Sequence, residues 1–411
     1  MKVCILTSSF PRFSGDSAGN FIYHLASALV KKEVEIEIIC PHESGYPFFE
    51  DWEGIKINRF PYFYPLRYQN LAYGSGILKN VKGFTRTKIQ PPFFIISEII
   101  YTLKILMISK PDLIHAHWSL PQGLTGIICK KVLGVSCITT VHGSDVHGLQ
   151  YPMLKVLNRI VIRNSNICTA NSRASARMVY EIAGREDTQV IPMGVDIDLF
   201  SRSEKVHAIR KKYEIDGDVL LFVGRLIRVK GIYHLIKALP KVLKQHPKTK
   251  LLIVGSGPEK RRLIQLCAEL AIINSVVFIN EVLQEDLIPL YSMADLLVLP
   301  SIIDVTGETE VLGVVLLEAM ACKVPLIGSD VGGIKDIIID GETGLLSKQK
   351  NSDSLAEKII CLLSDEQLRK KIIENGFKLV KEKFTWKVIS DRFMNIYMEV
   401  IKDGKNELNI H

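Results

Sequence analysis

The sequence predicts an α/β chain made of two doubly wound units, each a parallel sheet covered by helices on both faces. Three observations carry this prediction. The 411 residues give a length prior of roughly two to three domains, each able to bury its own core. Short apolar runs alternate with longer stretches of helical period, which is the order that parallel strands with crossover helices require. Finally, Ile191-Pro192-Met193-Gly194-Val195-Asp196 separates two such regions with Pro and Gly, as a domain join does. The predicted division is 1–195 and 196–384, with a last helical segment at 385–411.

In the first unit, 3–7, 34–40, 113–116, 137–141, 167–170 and 189–192 read as strands. Between them, 18–31, 93–109, 120–133, 152–163 and 172–182 read as helices. The opening run meets a turn at Ser8 to Pro11, too early for the apolar core of a signal peptide, and is expected to be a first strand. The segment 93–108 is the longest apolar stretch, but Ser97, Glu98 and Lys104 interrupt it. It is expected to be too short and too polar to span a bilayer.

Composition narrows the classes. The eight Cys are scattered with no two-residue spacing, so they read as reduced core residues of a cytoplasmic protein and not as a disulfide frame or zinc site. A net charge of +8 admits nucleic acid, an anionic membrane or a phosphorylated substrate as partner. Between Glu53 and Glu98 there is no acid, while Lys56, Arg59, Arg67, Lys79, Lys82, Arg86 and Lys88 are interleaved with aromatics such as Phe60, Tyr62, Tyr73 and Phe84. Two readings of region 54–97 stand side by side: a surface for anionic lipid headgroups, or an ordinary solvated insertion. No recognition motif supports nucleic acid.

The chemistry-bearing residues fall where strands hand over to helices. The first loop, 8–20, places Gly15 and Gly19 before a helix, where backbone N–H groups can approach an anion. His115 and His117 share a face at a strand's carboxyl end, without a third metal ligand at sensible spacing. They read as polar lining or as structural imidazoles. Thr140-Val141-His142-Gly143-Ser144-Asp145 puts an imidazole at the ligand edge of a sheet, with Asp145 either orienting acceptor hydroxyls or capping a helix from near Val146. Asp196 and Asp198 lie in the join and read as turn residues.

In the second unit, the strand 218–223 leads into Gly224-Arg225-Leu226-Ile227-Arg228-Val229-Lys230-Gly231, a turn with three cations that suits an anion clamp. The turn Gly255-Ser256-Gly257-Pro258 lacks the third glycine of a dinucleotide fingerprint. The stretch 306–333 then sets Glu310 in a loop and Glu318 on a helix beginning near 312–314. A fully helical spacing would part the two carboxylates by roughly 12 Å, enough to hold two parts of one long ligand. The helix N-terminus between them offers unpaired N–H groups to a phosphate. Strand-like runs at 295–301 and 324–328 and a Gly-Gly turn at Gly332 frame this stretch.

Taken in this order, the motifs resemble those of the retaining nucleotide-sugar glycosyltransferases of glycosyltransferase family 4, group 1, over essentially the whole chain. The resemblance implies a GT-B fold: two Rossmann-like domains, the first on the acceptor side and the second binding the donor, facing across a cleft, with the C-terminal helix crossing back to the first. It implies metal-independent transfer of a sugar from a UDP- or GDP-sugar to a hydroxyl, with no cofactor beyond that co-substrate. The acceptor would be lipid-linked or a saccharide, in surface polysaccharide or glycolipid synthesis. The expected location is cytoplasmic, with peripheral attachment to the inner face of the cell membrane. Residue by residue, Glu310 matches the contact to the donor sugar's hydroxyls and Glu318 the contact to the ribose, with Val311, Leu312, Gly313 and Val314 at the helix start between them. Arg225 and Lys230 match the residues that hold the diphosphate, His142 the imidazole near the reacting carbon, and Gly19 the first-loop glycine. Three positions depart from the family pattern: Gly15 and Gly19 are separated, Val311 stands where Gly is common, and Met193 where Asn is. The same fold also hosts nucleotide-sugar 2-epimerases, and a non-catalytic membrane-bound interaction protein is the alternative from another class.

Overall fold

The computed structural model describes residues 1–408 except 75, 78, 79, 82–86, 144, 146–150, 202 and 204. The chain divides into two compact units, Met1–Pro192 with Ile389–His411, and Met193–Val388.

The first unit contains strands β1 (Lys2–Leu6), β2 (Glu35–Pro41), β3 (Phe49–Trp52), β4 (Ile55–Phe60), β5 (Leu113–His117), β6 (Ser136–Val141), β7 (Ile167–Ala170) and β8 (Gln189–Val190). They form one sheet in the order β3-β4-β2-β1-β5-β6-β7-β8, parallel except for the β3/β4 pair. Strands such as Val3 to Leu6 and Cys137 to Val141 are buried without alternation, as a sheet covered on both faces demands. The covering helices are α1 (Asn20–Val30), α2 (Gln90–Ser109), α3 (Leu124–Leu133), α4 (Pro152–Asn164) and α5 (Arg173–Ala183). Strand order reverses between β1 and β5, so the carboxyl ends of these strands are where a ligand crevice forms in such sheets.

The second unit carries α6 (Val206–Lys212), β9 (Val219–Val223), α7 (Ile232–Gln245), β10 (Lys250–Val254), α8 (Lys260–Glu269), β11 (Val276–Ile279), α9 (Gln284–Met293), β12 (Leu296–Leu299), α10 (Val314–Ala321), β13 (Leu326–Ser329), β14 (Leu345–Ser347), α11 (Ser352–Ser364) and α12 (Glu366–Lys383). Its sheet runs β11-β10-β9-β12-β13-β14, wholly parallel, and the order reverses between β9 and β12. The last helix, α13 (Trp386–Leu408), starts in this unit, where Val195 pairs with Thr385 and Gly194 lies so close to Trp386 that a Cβ would come within 2.6 Å of the indole. From Ile389 onward the helix is part of the first unit. There Asp391 pairs with Lys32 at 2.5 Å and Tyr397 meets His115.

Region 54–97 does not form one surface: part of it is core and part is exposed. Ile55-Lys56-Ile57-Asn58-Arg59-Phe60 is a strand paired with β2, reached through a tight turn in which Glu53 and Gly54 have positive φ. Arg59 is fully buried; its guanidinium donates to Glu50 and to the Pro11 carbonyl. Phe60 and Tyr62 each lie 5.1 Å from Phe94, centroid to centroid, inside the core. Aromatic pairs of this kind add about 0.5–1.5 kcal/mol each beyond area burial. Arg59, Phe60 and Tyr62 are thus core residues, whereas Lys56, Tyr64, Arg67 and Lys88 are exposed. Lys79, Lys82, Phe84 and Arg86 lie outside the described residues, as does the helix expected from Val146.

Helix α2 also differs from expectation. It begins at Gln90, with prolines in its first turn, and its 20 residues are long and apolar enough to cross a bilayer, contrary to the sequence reading. Nevertheless it packs on the first unit, burying Phe94 and Leu106 in the core. Glu98 is buried beneath it and accepts hydrogen bonds from Gln122 (3.0 Å) and Thr125 (3.2 Å). Burial pushes its carboxyl up to about 8 against the pull of those two donors.

Candidate active site

At the carboxyl edge of the second sheet, β9 delivers the chain into the turn 224–231. The N–H groups of Gly224 and Leu226 donate to Val254 and Ser256 carbonyls, at 3.0 and 2.7 Å. This contact explains Gly255 and Gly257: a Cβ on the first would lie 2.1 Å from the Gly224 carbonyl oxygen, and on the second 2.4 Å from that of Leu226. The two glycines serve loop packing, in keeping with a turn that is no dinucleotide fingerprint. Arg225 is left exposed, its side chain without a hydrogen bond or ion pair among the described residues.

Lys230 turns inward. Its Nζ lies 2.5 Å from Glu310 Oε2, and Ser301 Oγ donates to the same oxygen at 3.0 Å. Ser301 lies just past the end of β12, so the three side chains gather where the strand order reverses. Glu310 lies in the loop, as its sequence suggested, and its backbone is fixed from behind. Its carbonyl accepts the Gly333 N–H at 3.0 Å, and a Cβ on Gly332 would sit 1.9 Å from that oxygen. The Gly-Gly turn is therefore a rest for Glu310. Val311 follows in the loop, Leu312 is buried, and α10 starts at Val314 after Gly313, with no side chain capping it. The Leu316 N–H donates to the Gly313 carbonyl at 2.9 Å, and no side chain caps the N–H groups before it. One helix turn further, Glu318 accepts a hydrogen bond of 2.6 Å from the Tyr291 hydroxyl. Burial raises the Glu318 carboxyl, and the Tyr291 bond opposes that rise.

The first unit's edge is of another kind. In its first loop, Gly19 precedes α1 with φ near 65°, and a Cβ there would collide with the Ser9 carbonyl oxygen at 2.1 Å. His142 follows β6 directly, and its Nε2 lies 3.0 Å from Nδ1 of His117, the last residue of β5. His115 Nδ1 lies 2.7 Å from the Tyr397 hydroxyl, and its Nε2 lies 2.7 Å from Thr140 Oγ1. Phe21 and Trp118 enclose His142, with ring centroids at 5.2 and 4.7 Å. Burial depresses His115 and His142 to about 3 and His117 well below its ordinary value, so all three imidazoles are neutral near pH 7. Asp145 is buried with both carboxylate oxygens committed to backbone, accepting from Ser119 N–H at 2.7 Å and His142 N–H at 3.1 Å. It ties the β5 and β6 loops together and so positions His142, instead of offering free oxygens to a ligand.

Residues 205–379 match the family model described as glycosyl transferases group 1, and residues 18–199 match that of glycosyltransferase family 4. N-acetyl-alpha-D-glucosaminyl L-malate synthase of Bacillus anthracis is 32% identical over 301 residues, covering 72% of this chain and 76% of its own length. The chain belongs to the group 1 glycosyltransferases. Among solved structures, this glycosyltransferase is similar to sucrose-phosphate synthase from Thermosynechococcus elongatus, with a TM-score of 0.78 at 23% identity over 98% of this chain and 99% of that one. It is also similar to Anabaena Alr3699/HepE in complex with UDP-glucose, with a TM-score of 0.72 at 20% identity over 97% of this chain and all (100%) of that one. These likenesses show the GT-B fold, with its two parallel-sheet domains.

Two residues of the candidate site, Ser301 and Tyr291, and one contact, that of His117 with His142, escape a reading of the sequence. Ser301 had a faint signal, its place at the end of a buried strand. Tyr291 had none, because nothing local distinguishes it from other core tyrosines on a helix. His117 was visible as one of a pair, but its contact with His142 depends on the register of two parallel strands.

Proposed function

We propose that the enzyme transfers a sugar from a nucleoside diphosphate donor to a hydroxyl acceptor, with retention at the anomeric carbon and without a metal. The observation that carries this reading is the gathering of Lys230, Glu310 and Ser301 where the second sheet's strand order reverses, beside an unpaired Arg225 and the open N-terminus of α10. Breaking the bond from the anomeric carbon to phosphate leaves negative charge on the diphosphate and positive charge on the sugar. Arg225, Lys230 and the N–H groups after Gly313 stabilise the departing diphosphate with fixed charge and dipoles. As the diphosphate binds, Lys230 exchanges part of its contact with Glu310 for phosphate, which frees Glu310 to accept hydrogen bonds from sugar hydroxyls. Glu318, held by Tyr291, takes the ribose hydroxyls. His142, kept neutral, bonds to the sugar without placing a positive charge beside the developing cation. The acceptor oxygen bonds to the anomeric carbon on the face the diphosphate leaves. The acceptor's proton passes to a phosphate oxygen of the leaving group, so no carboxylate nucleophile is needed.

A nucleotide sugar as donor fits a solved neighbour that holds UDP-glucose. A lipid-linked or saccharide acceptor, made into surface polysaccharide or glycolipid on the cytoplasmic side of a membrane, completes the proposal. The test is incubation with a panel of UDP- and GDP-sugars, with and without chelator, reading free nucleoside diphosphate and the anomeric configuration of the product. Release of UDP or GDP with retained configuration in chelator supports the reading. An inverted product, a strict metal requirement, or donor recovered intact but changed at its second carbon overturns it.

A further inference from the structure

Helix α2 is packed inside out. The stripe it turns to the core at positions 94, 98, 102 and 106 includes Glu98 and Thr102, both fully buried. Its outer face carries Phe93, Ile96, Ile100, Met107 and Ile108, which are 54–73% exposed. A helix lying on a water-facing protein surface has the opposite polarity.

The neighbours continue the pattern. Helix α3 packs beside α2, and α4 beside α3. Helix α4 exposes Met153, Val156 and Ile160, spaced to fall on one side of the helix. Lys104, Lys131, Lys155 and Arg159 are exposed among these apolar side chains. The only acid in the three helices is Glu98, and it is buried. A wide face is thus apolar, cationic and free of exposed carboxylate. An apolar expanse of this extent marks an interaction site. Its chemistry selects the partner. Pairing with a second copy would set cation against cation, and nucleic acid would leave the isoleucines unrewarded. Lipid phosphates over an acyl layer satisfy both components at once.

We infer that the α2–α3–α4 face of the first unit docks on an anionic lipid surface, its apolar side chains entering the headgroup boundary and its lysines and arginine meeting lipid phosphates. This surface shares with region 54–97 only the start of α2, Phe93 and Ile96 included, and it depends on no assumption about donor chemistry. Co-sedimentation of the full chain with phosphatidylcholine vesicles, with and without phosphatidylglycerol, tests it. Binding to the mixed vesicles is expected to exceed binding to the neutral ones by about tenfold and to weaken with salt. Ile96→Glu with Ile100→Glu should lower that binding by about tenfold or more without changing secondary structure or the thermal midpoint. Lys104→Glu with Lys155→Glu should erase the preference for anionic vesicles, and it decides the matter if the isoleucine variant misfolds. Equal binding to both vesicle types, or binding that survives both variants, overturns the inference. So does a dimer in light scattering that the isoleucine variant splits while the vesicles stay bare.

Discussion

The two sheet edges handle charge in opposite ways. In the second unit, Lys230 and Glu310 keep a charged contact of 2.5 Å with side-chain exposures of 17% and 11%, and Arg225 stands in solvent. In the first unit, His115, His117 and His142 pack as tilted rings in a buried cluster where burial removes their charge. A cation held by a carboxylate can be shared with an incoming diphosphate, because one charge-assisted contact replaces another. A neutral imidazole can order hydroxyls beside a carbon that turns positive, because it adds no repulsion. The second unit's edge is therefore suited to an anion, and the first unit's edge to neutral, hydroxyl-bearing groups.

The most severe test of this contrast is Lys230→Ala. Loss of the cation is expected to lower kcat/KM by about a hundredfold or more, on the order of 3 kcal/mol, measured as nucleotide release under steady state. Near-normal turnover would show that the charged edge performs no chemistry. Next comes Asp145→Asn. The amide presents an NH2 to one of two backbone donors that now share the carboxylate, so stability should fall by about 1–3 kcal/mol in urea titration, with a matching loss of kcat as His142 shifts. An unchanged midpoint would mean that the neutral edge is held by something else.

Tyr291→Phe sharpens the comparison within the charged edge. Glu318 loses the one side-chain bond that opposes its burial, so its carboxyl stays protonated to higher pH. Donor KM should rise by about tenfold at most, roughly 1 kcal/mol, with little change in kcat, and the rise should be steepest on the acid side. The smallest effect is an absence. Because His142 is neutral down to about 3, its own ionisation should leave no limb in kcat/KM near 6.5; burial raises Asp145 to about 6, so the refuting result is a limb that survives Asp145→Asn and is removed by His142→Asn. Folding carries the same sign: between about 3 and 6.5 the folded His115 and His142 bind fewer protons than the unfolded chain. Their contribution to stability should therefore decline as pH falls through that window, partly offset by Glu98 and Asp145, whose raised values act with the opposite sign; thermal melts of His115→Asn and the parent chain isolate it.

Local order is what the sequence by itself determined. Alternating apolar runs fixed two parallel-sheet regions, and glycines and cations at strand ends placed Lys230, Glu310, Gly313 and His142 in loops, since strand period and turn chemistry act over a few residues. Tertiary structure alone decided which of these meet. Lys230 and Glu310 share a contact because β9 and β12 are neighbours in the sheet, and Tyr291, on α9 packed against β9, meets Glu318 on α10. Arg59 looked like a surface cation until the β4 strand buried it against Glu50 and Pro11, and α2 looked like an ordinary covering helix until packing turned Glu98 inward. In each case the deciding quantity was burial, which belongs to neighbours brought together by the fold and not to the residue's own stretch of chain.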